Sequence, residues 1–133
     1  MSRVSVIVPV LNEADTLAES LARLRAALAD GDELIVVDGG STDHSIDIAR
    51  EAADTVLTSD QGRSLQMNTG AVCARGVWLW FIHADTVLHA RHREALGSLA
   101  GRTLWGRFDV RLSQSRPLFR VIAFMMNWRS RLT

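Results

Sequence analysis

Short apolar runs alternate along the chain with stretches whose apolar residues return every three or four positions. The first run, Val4 to Val10, is β-branched and reads as a central parallel strand. Its pairing is expected to end near Pro9, which has no N–H for a ladder. Leu17, Leu21, Leu24 and Leu28 then share one face of a helix that Asn12 can cap and Asp30-Gly31 ends. Glu33 to Val37 predicts a second buried strand running into Asp38-Gly-Gly-Ser-Thr-Asp43, where Ser41 or Thr42 can cap a helix to about Ala53. Thr55 to Thr58 predicts a third strand, and Gln61-Gly62-Arg63 opens a helix to about Ala74 that Gly76 ends. Trp78-Leu-Trp-Phe-Ile-His83 predicts a fourth strand, and its unbroken apolar run predicts burial on both faces. A helix over 89–100, a strand from Thr103 to Leu112 and a helix from Pro117 to about Arg131 complete the pattern. Four alternations of strand and helix predict an α/β fold with a parallel sheet and right-handed crossovers.

A chain of 133 residues has room for one core, so a single domain over 1–133 is expected. At 47% hydrophobic and 23% charged, the composition is that of a globular protein. Val4 to Val10 is too short for a signal peptide, and no apolar stretch is long enough to span a bilayer. The single Cys73 excludes an intramolecular disulfide and fits a reducing compartment, so a cytoplasmic protein is expected.

The net charge of zero conceals an asymmetry. Residues 1–60 carry twelve acids against four arginines, and residues 61–133 carry eleven arginines against three acids. With no lysine, every fixed side-chain cation is a guanidinium. This is either a compositional habit or a second half that faces phosphate, which Arg grips with a bidentate fork. Nucleic acid is not expected as a partner, because no recognisable module interleaves stacking aromatics with the arginines.

Candidate chemistry gathers where strands end. Asn12-Glu13, Asp38 and Asp85 follow three strands whose carboxyl ends share one edge of a parallel sheet, the edge where such sheets bind ligands. Each alone reads more readily as a cap or turn residue than as a ligand; three together, one beside Gly39-Gly40, shift the balance toward a site. No G-x-G-x-x-G turn follows the first strand, and the phosphate loop G-x-x-x-x-G-K-[ST] is impossible without lysine. Arg63 in the first turn of a helix suits a phosphate. The competing reading is a solvated arginine on a helix packed through Leu65 and Met67. His83-x-Asp85 offers two ligands to a divalent metal: Mg2+ favours the carboxylate, an imidazole suits Mn2+, and a core histidine is the bland alternative for His83. Zinc spacing is absent, and Gly39-Gly-Ser-Thr-Asp43 is not a G-x-S-x-G elbow.

Four segments carry a resemblance. Val-Ser-Val-Ile-Val-Pro9-Val-Leu-Asn-Glu13, Ile-Val-Val-Asp38-Gly-Gly-Ser-Thr-Asp, Gly62-Arg-x-x-Gln-Met-Asn-x-Gly-Ala and Phe-Ile-His83-Ala-Asp85-Thr occur in this order. They resemble family 2 glycosyltransferases of the GT-A fold, most closely a small bacterial subgroup whose metal motif reads His-Ala-Asp. The resemblance covers residues 3–133. It implies a Rossmann-like, nucleotide-binding three-layer sandwich with a mostly parallel sheet. It implies transfer of a sugar from a nucleotide-diphosphate sugar, often a UDP-sugar, to an acceptor. Carried over, Pro9, Leu11 and Glu13 line the nucleotide pocket, Asp38 with Gly39 holds the base, and Arg63 lies near base or phosphates. His83, Ala84 and Asp85 fill the metal motif, with Asp85 the ligand, His83 its partner, and Mn2+ or Mg2+ the ion. Many relatives have Tyr where Leu11 stands; Leu11 can only pack on the base.

Relatives continue past Thr133 through a Gly-Asp-Gln segment, an acceptor-side loop and an Asp/Glu pair that supplies the general base. The expectation is therefore a fold incomplete at the C-terminus, with the general base outside this chain and the catalytic residues unknown. A second expectation is a catalytically silent fragment that only binds nucleotide or self-associates, and a third is another metal-dependent nucleotide-sugar or nucleotidyl enzyme. The last helix, 117–132, is apolar on nearly all sides, with Arg116, Arg120, Arg129 and Arg131 at its ends. A helix of that kind wants burial; packing or homo-oligomer formation is expected ahead of peripheral contact at the inner membrane face.

Overall fold

Residues 3–99, 106, 108 and 117–131 are described by the computed structural model, and the chain divides into two compact units, 1–100 and 101–133. The first unit runs β1 (Val4–Val10), α1 (Ala14–Ala27), β2 (Glu33–Asp38), α2 (Ser45–Ala52), β3 (Thr55–Thr58), α3 (Arg63–Cys73), β4 (Trp78–Phe81) and α4 (Ala90–Ser98). The second contains α5 (Pro117–Arg131). The strand expected over Thr103 to Leu112 lies outside the described residues, apart from Gly106 and Phe108. No described helix is long and apolar enough to cross a membrane.

The four strands form one sheet in the order β3-β2-β1-β4, and every pair is parallel. Side chains alternate across it. Val4, Val6, Val8 and Val10 join Leu34 and Val36 against Leu17, Leu21 and Leu24 of α1 and Ala49 of α2. Ile7, Ile35 and Val37 form the opposite face, with Leu57, Ala71 and Ala74 packed on them. Pairing between β1 and β2 does not stop at Pro9 but continues through Val10 opposite Asp38. The Ile7 carbonyl, two residues earlier, accepts from Ile82 N on the β4 side. By alternation the missing N–H of Pro9 falls on that side as well, and the β1–β2 ladder loses nothing.

Burial of β4 on both faces is not what the structure has. Trp78 and Trp80 are half-buried on the α1 side, while Leu79 and Phe81 are exposed, at 42% and 45%. The strand stands at the sheet edge beside β1, and α3 packs on β1, β2 and β3. An unbroken apolar run records apolar character on both faces, not whether both are covered.

At the amino edge of the sheet, buried charge closes the first unit. Asp32 accepts from Val4 N and Ala29 N, each at 2.9 Å, and from both Nε and Nη2 of the buried Arg93 of α4. Glu33, 2% exposed, accepts from Ser5 Oγ and Arg75 N at 2.5 Å, with the Arg3 guanidinium at 3.5 Å. Burial pushes both carboxyls up, but these hydrogen bonds and the neighbouring guanidiniums outweigh it and hold both below the usual carboxylate range.

Candidate functional site

The carboxyl ends of β1, β2 and β4 meet the N-terminus of α3 at one edge of the sheet. A cleft of about 220 Å³ opens there, lined by Pro9, Val10, Leu11, Glu13, Gln61, Gly62, Arg63, Gln66 and His83. Five residues singled out from the sequence, Pro9, Leu11, Glu13, Arg63 and His83, therefore share one lining. Gly62 and Gln66 entered only as members of the third motif, and Val10 and Gln61 were given no role at the site.

The loops after β1 and β2 build the wall by bonding to each other. Asn12 does not cap α1. It takes a left-handed conformation, φ 50°, and its Oδ1 accepts from Thr42 N at 2.8 Å while its N–H donates to Ser41 Oγ at 2.8 Å. The first N–H groups of α1 are met from the neighbouring loop: Ala14 N donates to Asp43 Oδ2 at 3.1 Å and Glu13 N to Ser45 Oγ at 2.9 Å. Asp43 Oδ1 also receives the N–H of Ser45, which opens α2, so neither Ser41 nor Thr42 serves as the expected cap. Parallel strands place their following loops side by side, so a cap can come from another loop as readily as from the preceding residue.

Asp38 is 1% exposed and stands beneath the cleft rather than on its lining. Its Oδ2 accepts from Gly40 N at 2.9 Å and Ser41 N at 2.8 Å, and its Oδ1 accepts from the Ser41 hydroxyl. Gly40 has φ 98°, the left-handed conformation that glycine accepts without strain. Gly39 is buried as well, and the space of its absent side chain faces Gln66 rather than open cleft: a Cβ there would lie 2.9 Å from Gln66 Cδ.

Gly62, with φ 150°, precedes the first turn of α3, which no side chain caps. Such a terminus presents N–H groups to an anion, and the exposed Arg63 extends from it. The expected packing by Leu65 and Met67 is not found. Leu65 is 52% exposed and Met67 half-buried, whereas Gln66 and Gly70 are the buried residues of α3. The helix lies too close to the sheet for larger side chains, since a Cβ at Gly70 would sit 2.5 Å from Ile7 Cγ2.

After β4 the chain turns through His83, Ala84 and Asp85, closed by Thr86 N donating to the His83 carbonyl at 3.0 Å. Ala84 is buried under the turn; His83 and Asp85 are exposed. Asp85 takes part in no side-chain hydrogen bond or ion pair among the described residues. Burial pushes the Glu13 carboxyl up, and the charges of Asp85 and Asp43 push it further. Burial pushes the His83 imidazole down, the nearby Arg63 guanidinium adds to this, and Asp85 opposes it. Glu13 thus feels the charges of Asp85 and Asp43, and a cation beside it would relieve that repulsion. Among the described residues no three His, Cys, Asp or Glu side chains are grouped to hold a metal ion by themselves.

The chain resembles known proteins in sequence and in fold. The family model for Glycosyl transferase family 2 matches residues 5–123. A PGL/p-HBAD biosynthesis glycosyltransferase of Mycobacterium bovis is 38% identical over 92 residues, spanning 64% of this chain and 36% of that protein. A mannosyltransferase from Pyrobaculum calidifontis, solved in complex with GDP-Man and Mn2+, superposes with a TM-score of 0.68 at 30% identity, over 77% of this chain and 33% of the other. Glucosyl-3-phosphoglycerate synthase from Mycobacterium tuberculosis, in complex with Mn2+, UDP and glucosyl-3-phosphoglycerate, gives 0.56 at 26% identity, over 67% and 36%. The chain spans about a third of the length of these proteins.

Proposed function

The chain belongs to glycosyl transferase family 2, and from that membership we propose that it forms the donor-binding side of a glycosyltransferase, taking a nucleotide-diphosphate sugar for transfer to an acceptor. The observation that carries this is the cleft at the carboxyl edge, whose lining combines apolar, anionic and cationic groups of the kinds a nucleotide diphosphate takes. Pro9 and Leu11 offer the base an apolar surface. Glu13 offers ribose hydroxyls an acceptor. Arg63 and the uncapped start of α3 offer the phosphates charge and N–H donors. Asp38 acts on the base side by holding the loop 38–41 in shape, with Gly39 behind it.

Asp85, with His83 beside it and Ala84 fixing the turn, would hold a divalent metal, Mn2+ or Mg2+. The fit rests on the unengaged carboxylate of Asp85, the mutual repulsion it shares with Glu13, and an imidazole biased toward its neutral form. Such an ion typically takes one or two protein ligands and completes its shell with phosphate oxygens and water; bound there, it would offset charge on the leaving diphosphate. A UDP-sugar is the favoured donor, and a GDP-sugar is the alternative to test. Calorimetric titration of UDP and GDP with and without Mn2+ tests the reading. It predicts binding that needs the metal, and metal-independent binding or none would refute it.

We further propose that α5 mediates self-association, ahead of contact with a membrane surface. Val121, Phe124, Met125 and Trp128 are each more than half exposed, a larger apolar face than a solvated helix carries. Sedimentation velocity should show a concentration-dependent dimer that Phe124→Glu abolishes. A monomer at every concentration that nevertheless floats with anionic vesicles would favour the membrane instead.

A further inference from the structure

One buried side chain joins β1, β2 and the start of α3 at the cleft. Gln66 is 4% exposed. Its Nε2 donates to the Val10 and Val37 carbonyls, both at 2.9 Å, so both amide hydrogens are engaged at the ends of β1 and β2. Two carbonyl partners also fix which way the amide points. Its Oε1 then accepts from Gly62 N at 3.4 Å, just before α3. The Val10 carbonyl is shared with Gly39 N, which donates to it at 2.9 Å. Gly39 itself is pressed against the amide, with space for no Cβ: Cδ and Oε1 both lie 2.9 Å from where one would stand. Gly39 is not in the left-handed region, so this contact rather than backbone conformation is what excludes a side chain.

These contacts join two walls with different tasks under the donor-binding reading, on which this inference rests. The strand ends and the loop 38–41 serve the base and ribose. Gly62 and Arg63 serve the phosphates. We propose that Gln66 is a positioning residue that sets the distance between these two walls, so that one nucleoside diphosphate spans both. A ligand that bridges two subsites gains over its separate halves only when their separation matches its own length. Removing the spacer should leave each subsite usable and abolish that gain. A merely structural role would weaken all ligands together.

The test uses the whole chain with Mn2+ and three probes: uridine, inorganic pyrophosphate and UDP. Affinities come from calorimetric titration for the unmodified chain, Gln66→Ala, Gly39→Ala and the double variant. In Gln66→Ala the affinity for UDP should fall by at least about tenfold while uridine and pyrophosphate stay within about threefold. Gly39→Ala keeps the amide but displaces it, and should show the same split. In the double variant the added methyl has room, so Gly39→Ala should cost little more there, a non-additivity diagnostic of contact. Parallel weakening of all three probes would overturn the proposal, as would full additivity of the two substitutions. If Gln66→Ala does not fold, Gly39→Ala decides through the same split. Absence of UDP binding by the unmodified chain would refute the donor-binding reading itself, and this proposal with it.

Discussion

Asp85 and Leu11 are where single side chains decide most. Asp85 is exposed and bonded to nothing among the described residues, so Asp85→Ala should leave the melting temperature within about 1 °C, as surface changes usually do. It should lower metal-dependent nucleotide affinity by about tenfold or more, the scale of losing one of few ligands. Calorimetry beside a melting curve checks both halves. Leu11→Tyr should tighten nucleotide binding about fivefold, since an aromatic face adds about 1 kcal/mol on a base; unchanged affinity would mean that the base lies elsewhere. Pro9, Leu11, Glu13, Arg63 and His83 were legible in the sequence because their places follow from strand ends and one helix start. The engagement of Asp38 was not legible. Its three bonds depend on how residues 39–41 fold back, and a carboxylate before two glycines looks the same whether it faces a ligand or its own loop.

Elements were legible where periodicity speaks and obscure where contact distance decides. The leucines of α1 and the valines of β1 and β2 fall where their spacing puts them. For α3 the apolar residues were misleading, because its buried face is made by Gln66 and Gly70. Gly70→Ala should therefore destabilise the fold by about 1–3 kcal/mol through the clash with Ile7, measured by urea unfolding. The Asp32–Arg93 pair also escaped the sequence reading, since nothing local links a turn to a helix sixty-one residues on. Arg93→Met should cost about 3–5 kcal/mol, because it leaves a buried carboxylate without its cation. If that loss is below about 1 kcal/mol, Asp32 is held by its backbone donors alone.

For the molecule as a whole, acid is the sensitive direction. Asp32 and Glu33 have folded-state values below their ordinary ones, so the stability they add is complete above about pH 5 and is lost as pH falls through those lower values. Glu13, half-buried at the cleft, has the opposite sign and softens the loss. Urea midpoints should fall steeply below about pH 4, and Asp32→Asn should flatten that fall. The parallel α/β architecture and the edge that carries the cleft were both readable from alternating runs and four motifs. The edge exposure of β4 was not, because coverage depends on which elements pack beside a strand. On the donor-binding reading, a nucleotide diphosphate and its metal meet at the carboxyl edge. Paramagnetic Mn2+ tests it most directly, by its line broadening in the 15N–1H spectrum of the chain with UDP. Broadening should be nucleotide-dependent at Glu13, Gly62, Arg63, His83 and Asp85, with Asp32, Glu33 and Gly76 at the opposite edge left sharp. Broadening centred on that opposite edge, or equal with and without UDP, would contradict it.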